Sequence, residues 1–140
     1  MAAIHGSFDN RGAPTVTISI SPAEGVASAK QFVAVIDTGF EGFVRMPSDQ
    51  AEMLGLTPTT AAEIENADGT VDVVALAPAR VTLGGDSREG LVHLQHAVDE
   101  ILVGLDFLRS FRKMLVVSVA ESQILLVDDL SDIAGPPQIA

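Results

Sequence analysis

The 140 residues of the chain include no cysteine, no tryptophan and no tyrosine. Without cysteine it can form no disulfide bond, no thiolate nucleophile and no cysteine-ligated zinc site. Aromatic residues amount to only 4% and are all phenylalanine. The sequence therefore gives no sign of the aromatic-lined pocket that many small-molecule binding proteins have.

Positive charge is also scarce, because 8 Lys and Arg stand against 19 Asp and Glu, a formal net charge of −11. No basic stripe is present to neutralise phosphates or anionic lipid headgroups, so neither nucleic acid nor a membrane surface is expected as a partner. No apolar run approaches the roughly 20 residues that a membrane-spanning helix needs, and the first residues lack a signal-peptide pattern. We therefore expect a soluble cytoplasmic protein.

The chain is rich in aliphatic residues, since 47% of it is hydrophobic and its mean hydropathy is +0.35. Short apolar runs separated by turn residues indicate many strands. Thr15–Ile20 alternates apolar and polar residues, as a half-buried strand does. Ala62–Glu65 and Thr70–Leu76 indicate a hairpin with a polar tip. The pattern favours an all-β barrel or sandwich.

One or two short helices are expected within this all-β domain. Pro47–Leu54 has Ser48 or Asp49 as a candidate N-cap and a glycine just beyond its end. A second short helix is expected over Phe107–Phe111. We expect one domain over residues 1–127, followed by an acidic, proline-containing tail over 128–140.

A buried strand that ends in a carboxylate is the strongest candidate for chemistry. The β-branched apolar run Phe32–Ile36 leads directly into Asp37, Thr38 and Gly39. An acid held at the end of a buried strand by a tight loop is well placed for general acid–base catalysis. The same tripeptide also fits an ordinary strand followed by an Asp/Gly turn.

A second segment far downstream has a related form, in which the apolar strand Ile101–Val103 breaks at Gly104 and Asp106 opens a short helix. Together the two segments resemble the retropepsin-like aspartic proteases, in particular their single-domain prokaryotic type. The family has a hydrophobic–Asp-Thr-Gly loop followed, most of a domain later, by a hydrophobic–Gly-x-(Asp/Asn) segment. This resemblance implies a closed retropepsin-like β-barrel whose active site lies at a homodimer interface.

The resemblance also implies residue roles. Asp37 is expected to be catalytic, Thr38 to brace the two active loops of a dimer against each other, and Gly39 to allow the sharp backbone path behind the carboxylate. Ala67, Asp68 and Gly69 fall where the family has the flap that closes over the substrate.

A single Asp-Thr-Gly per chain implies a homodimer with C2 symmetry, in which two Asp37 carboxylates activate one water. The implied function is an aspartic endopeptidase that acts on a protein or peptide, without a cofactor or a metal. The alternative function is a non-catalytic acidic β-barrel that serves as an interaction or scaffold module.

Four further residues bear on the interpretation of the site. Asp106 either caps the following helix or binds substrate main chain. Phe40 departs from the small or hydroxyl residue that other branches of the family place after the glycine, which adds bulk beside the active loop. His93 and His96 are predicted in one strand, where residues i and i+3 face opposite sides, so we expect surface or edge histidines and no shared metal.

Overall fold

The computed structural model describes residues 3–24 and 29–129. The predicted tail lies outside the described residues from residue 130 onward. Within the described ranges the elements are β1 (Ile4–Phe8), β2 (Pro14–Pro22), β3 (Lys30–Ile36), β4 (Val44–Pro47), α1 (Ser48–Leu54), β5 (Thr60–Glu65), β6 (Val71–Leu83), β7 (Asp86–Gln95), β8 (Ile101–Val103), α2 (Leu105–Phe111), β9 (Lys113–Ser118) and β10 (Gln123–Asp128).

Six of the strands close into a barrel. The order β6-β7-β4-β8-β3-β2 is continuous, and β2 then pairs with β6 to complete the ring. The pairs β4–β7 and β3–β8 are parallel, and the other pairs in the ring are antiparallel. β5 extends the sheet from β6, whereas β1, β10 and β9 extend it from β2. The predicted closed, all-β barrel with two short helices is confirmed.

The barrel interior is filled by alternate residues of its strands, as the two-residue period of a strand requires. One row of paired, buried residues crosses five of the strands and belongs to the main core: Ala77, Val92, Val44, Val103 and Ile36. The adjacent row faces outward: Leu76, His93, Arg45, Leu102 and Val35.

Three phenylalanines join the barrel to α2. The Phe43 ring lies 6.0 Å from Phe107 and 6.4 Å from Phe111, and the latter two rings are 4.8 Å apart. All three side chains are buried. Gly90 on β7 leaves the space for Phe43, because a Cβ there would lie 2.5 Å from the ring.

The helix starts differ from the prediction. α1 begins at Ser48 with Pro47 as N-cap and no side-chain capping bond, so neither Ser48 nor Asp49 caps it. Its end at Gly55, in the left-handed conformation, agrees with the prediction. α2 begins two residues earlier than predicted, at Leu105. Neither of these described helices is long and apolar enough to cross a membrane.

The packing around Phe43 predicts that alanine substitutions at two glycines will differ in their effect on stability. Neither glycine has a positive φ. Gly90→Ala should lower the free energy of unfolding by about 1–3 kcal/mol, because the new methyl group overpacks the Phe43 ring. Gly85→Ala is the matched control, since a Cβ there has no heavy atom within 4 Å, and its effect should stay below about 0.5 kcal/mol. Urea unfolding of both variants measures the difference. Equal midpoints would contradict the tight packing of Phe43.

Candidate active site

Asp37 lies at the end of β3, in a turn fixed by backbone hydrogen bonds. Its N–H donates to the Val103 carbonyl at 2.9 Å, and its own carbonyl accepts from the Phe40 N–H at 3.1 Å. The carboxylate Oδ1 accepts from the Gly39 N–H at 2.9 Å. Asp37 is half-buried, whereas Thr38 and Gly39 are exposed. The carboxylate is therefore oriented by the turn and open to solvent on one side.

The Gly104 segment packs directly onto this turn. Phe40 and Glu41 carbonyls accept the N–H groups of Leu105 and Asp106 at 2.9 and 3.0 Å. A Cβ on Gly104 would lie 2.2 Å from the Phe40 carbonyl oxygen, so only glycine permits this approach. The two motifs that the sequence singled out are thus brought into contact.

Asp106 does not cap α2, so that prediction is wrong. The helix begins before it, with Gly104 as N-cap. The first free N–H groups of the helix already have acceptors in the Asp37 loop, and no side-chain cap is needed. The exposed Asp106 carboxylate instead pairs with Arg109 one turn later. Its alternative role, binding substrate main chain, stays a prediction.

Phe40 packs inward across its own loop. A Cβ on Gly42 would lie 2.5 Å from Cζ of the Phe40 ring, which therefore covers that glycine. The same ring meets His93 edge to face, with centroids 5.2 Å apart and planes at 89°. The added bulk of Phe40 is thus accommodated by Gly42 and His93.

His93 is not the surface or edge histidine that the sequence predicted. β7 lies between β6 and β4 in the barrel, and the His93 ring is half-buried. Burial lowers the pKa of His93, and the negative charge of Asp106 offsets part of that shift. His96 lies beyond the end of β7, in an exposed turn. In the described part of the chain, no three His, Asp or Glu side chains are grouped as metal ligands would be.

The hairpin of β5 and β6 carries the predicted flap residues at its tip. Ala67, Asp68 and Gly69 form an exposed turn, in which Gly69 has a φ of 86°. Asp68 Oδ1 accepts the Thr70 N–H at 3.0 Å and its hydroxyl at 2.6 Å. These two hydrogen bonds lower the pKa of the Asp68 carboxyl, and the bond from the Thr70 hydroxyl has the larger effect. The tip is therefore a well-bonded turn with a stable negative charge.

A cleft of about 590 Å³ lies between the Asp37 loop and β5. The loop contributes residues 39–42, β5 contributes residues 62–65, and His93 lies beside them. The flap residues proposed from the sequence lie beyond this lining, at the hairpin tip. Sequence reasoning assigned no role at this cleft to His93 or Ile64, because a strand pattern alone does not say which other elements its side chains will face.

Comparison with known proteins supports the fold. No protein-family model matches the chain. A retropepsin-like aspartic protease from Rickettsia conorii superposes with a TM-score of 0.59 at 16% identity, covering 89% of this chain and 90% of that one. EIAV protease, in a complex with the inhibitor HBY-793, gives a TM-score of 0.56 at 16% identity, covering 79% of this chain and 99% of that one.

An uncharacterized protein from Archaeoglobus fulgidus is 33% identical over a 93-residue alignment, which covers 59% of this chain and 68% of the archaeal protein. This identity and coverage establish a family relationship, whereas the two proteases establish the fold. The chain therefore belongs to the same family as the archaeal protein and has the fold of the retropepsin-like aspartic proteases.

Proposed function

We propose that the protein is an aspartic endopeptidase that acts as a homodimer. The observation that carries the proposal is the half-buried Asp37 carboxylate, oriented by Gly39 and held against the Gly104 segment beside an open cleft. The retropepsin-like fold supports the same function. Asp37 is the proposed catalytic residue, and Thr38 and Gly39 shape its loop.

The chemistry requires two carboxylates that face one water. Two like charges about 3 Å apart cannot both ionise, so the pair shares a proton. The ionised carboxylate takes a proton from water, whose oxygen attacks the peptide carbonyl carbon. The protonated carboxylate gives its proton to the carbonyl oxygen as the tetrahedral intermediate forms. Because the chain has one Asp-Thr-Gly, the second carboxylate must come from Asp37 of a second copy.

The cleft suits an extended peptide. β5 ends the sheet order, so among the described residues one of its edges has no strand partner. An extended peptide can pair with such an edge through main-chain hydrogen bonds. Closure of the hairpin tip around Asp68 would then exclude water from the cleft. The substrate is accordingly proposed to be a protein or peptide in a strand conformation.

Replacement of the catalytic carboxylate tests the proposal. Asp37→Asn should lower peptide hydrolysis by about 10²–10⁴-fold, because it removes both the base and the shared proton. Asp86→Asn removes the same charge from an exposed position at the start of β7 and should leave the rate unchanged. Rates are measured with a denatured protein as the substrate, and circular dichroism checks the fold of each variant.

A dilution series of the wild-type protein, with molar mass measured in parallel, separates the homodimer from other arrangements. Specific activity should fall as the dimer dissociates, because each subunit holds half of the proposed site. Full specific activity from a proven monomer would rule out the shared pair. No hydrolysis by the wild type at any pH would favour the alternative, a scaffold or interaction module.

The shared proton also predicts the shape of the pH–rate profile. The rate should be bell-shaped with an optimum below neutrality, because the acid limb loses the base and the alkaline limb loses the proton donor. Cleavage is measured at a concentration where the dimer is confirmed at each pH. A rate that rises steadily through about pH 8–9, above the range of carboxylates, would exclude a carboxylate pair.

His93 predicts a separate pH effect on stability. Since burial lowers its pKa, the unfolded chain binds the proton more tightly, and the folded state should lose stability as pH falls below about 6.5. The loss should stop once the pH is below the pKa of folded His93. The charged groups around it are those of its neighbour on β4, of α2, of the Asp37 loop and of β5 across the cleft: Arg45, Asp106, Arg109, Glu41, Glu63 and Glu65. Urea unfolding across pH should show a shallower slope for His93→Gln than for the wild type, and an unchanged slope for the exposed His96→Gln. Parallel curves for the wild type and His93→Gln would contradict a lowered pKa for His93.

A further inference from the structure

Two unsatisfied nitrogen atoms belong to neighbouring residues on the outer face of the barrel. Arg45 Nε and His93 Nδ1 are the buried side-chain atoms without a hydrogen-bond partner in the described part of the chain. Arg45 of β4 is the register partner of His93 on the parallel strand β7, so both side chains lie on one face. Two orphan nitrogens at adjacent positions indicate a missing common partner.

Arg45 is a half-buried basic residue without an ion pair in the described part of the chain. An arginine side chain carries five N–H donors and keeps its charge at any physiological pH. Arg80, Arg109 and Lys113 each pair with a carboxylate, whereas no ion pair is found for Arg45 among the described residues. Leaving a half-buried cation unpaired is costly, and this chain has acidic residues in excess. The absence of an internal partner points to an external one.

His93 lines the cleft, and Arg45 is its neighbour on the same face of the sheet. His93 lines the cleft beside residues 39–42 and also a neighbouring cavity of about 390 Å³ that Asp106 and Arg109 border. In the outward row, Arg45 lies between His93 and the buried Leu102. β4 is separated from β3, which leads into Asp37, by β8 alone, a spacing of roughly 10 Å across the sheet. A group bound at Arg45 therefore lies within about two or three extended residues of the Asp37 carboxylate.

We propose that Arg45 and His93 form a carboxylate-binding site that recognises the substrate. Arginine binds a carboxylate through two parallel N–H···O bonds, a geometry that its planar guanidinium group favours. His93 can donate a third hydrogen bond from Nδ1. The carboxylate comes from an acidic side chain or from the C-terminus of the peptide, in both cases two or three residues from the cleaved bond. The inference rests on the proposed peptidase function and adds a substrate class to it.

The first test compares peptides and needs no variant protein. A peptide with amidated ends and one Glu is moved in single steps through the positions around a known cleaved bond, and each peptide is compared with its Gln counterpart. One position should show about a ten- to hundredfold higher kcat/KM with Glu, the range expected for a charged hydrogen bond. A peptide with Gln and a free C-terminus tests whether the bound carboxylate is the C-terminus of the peptide. If Glu gives no advantage at any position but the free C-terminus raises kcat/KM over the amidated peptide, the site binds a terminal carboxylate.

The second test links the preference to the residue. Arg45→Met keeps an unbranched apolar stem but removes the donors, so the variant should cleave the Glu peptide no faster than the Gln peptide. Arg80→Met, which removes an exposed arginine paired with Glu89, is the matched control and should keep the preference. Arg45→Lys should retain part of it, since it keeps the charge but loses the two-bond geometry.

Binding separates this inference from the proposed function. The Asp37→Asn protein should bind the Glu peptide about ten- to hundredfold more tightly than the Gln peptide, measured by calorimetry. Such a difference without hydrolysis by the wild type would refute the peptidase and retain the carboxylate site. Equal binding and equal cleavage of all Glu, Gln and free-carboxylate peptides would overturn the inference, as would a Glu preference that survives Arg45→Met.

Discussion

The contact between the Gly104 segment and the Asp37 loop is the constraint on which the proposed site depends. Three backbone N–H groups, of Gly104, Leu105 and Asp106, donate to carbonyls of the loop that follows Asp37. The approach is so close that any side chain at Gly104 would meet loop carbonyl oxygens. The same contact satisfies the start of α2 and fixes the loop, so helix and carboxylate are positioned by one set of bonds.

The Phe43 cluster extends this constraint into the core. Phe43 follows the Asp37 loop directly and stacks with Phe111 at the other end of α2. The helix is therefore held to the loop by polar bonds at its first turn and by apolar contacts along its length. A loop fixed at both ends keeps the Asp37 carboxylate in one orientation, which a catalytic group requires.

The sequence was sufficient to predict what local patterns encode. The run into Asp37, the hairpin around Asp68 and the closed all-β fold each depend on short-range periodicity or on a resemblance carried by two motifs. The start of α2 was missed because its acceptors lie in a loop distant in sequence, so no local capping residue marks it. His93 was misplaced for a similar reason, since its burial depends on Phe40 and on the neighbouring strands.

The proposed carboxylate-binding site and the barrel core are consequences of the same register. Val44 faces the interior and Arg45 the outer face beside His93, because successive residues of a strand point to opposite sides. A shift of β4 by one residue would bury the guanidinium group among aliphatic side chains and expose Val44. Core packing against Val92 and Val103 therefore selects the register that presents Arg45 beside His93. The core thus fixes the strand alignment that leaves Arg45 without an ion pair, and the proposed carboxylate would supply its partner.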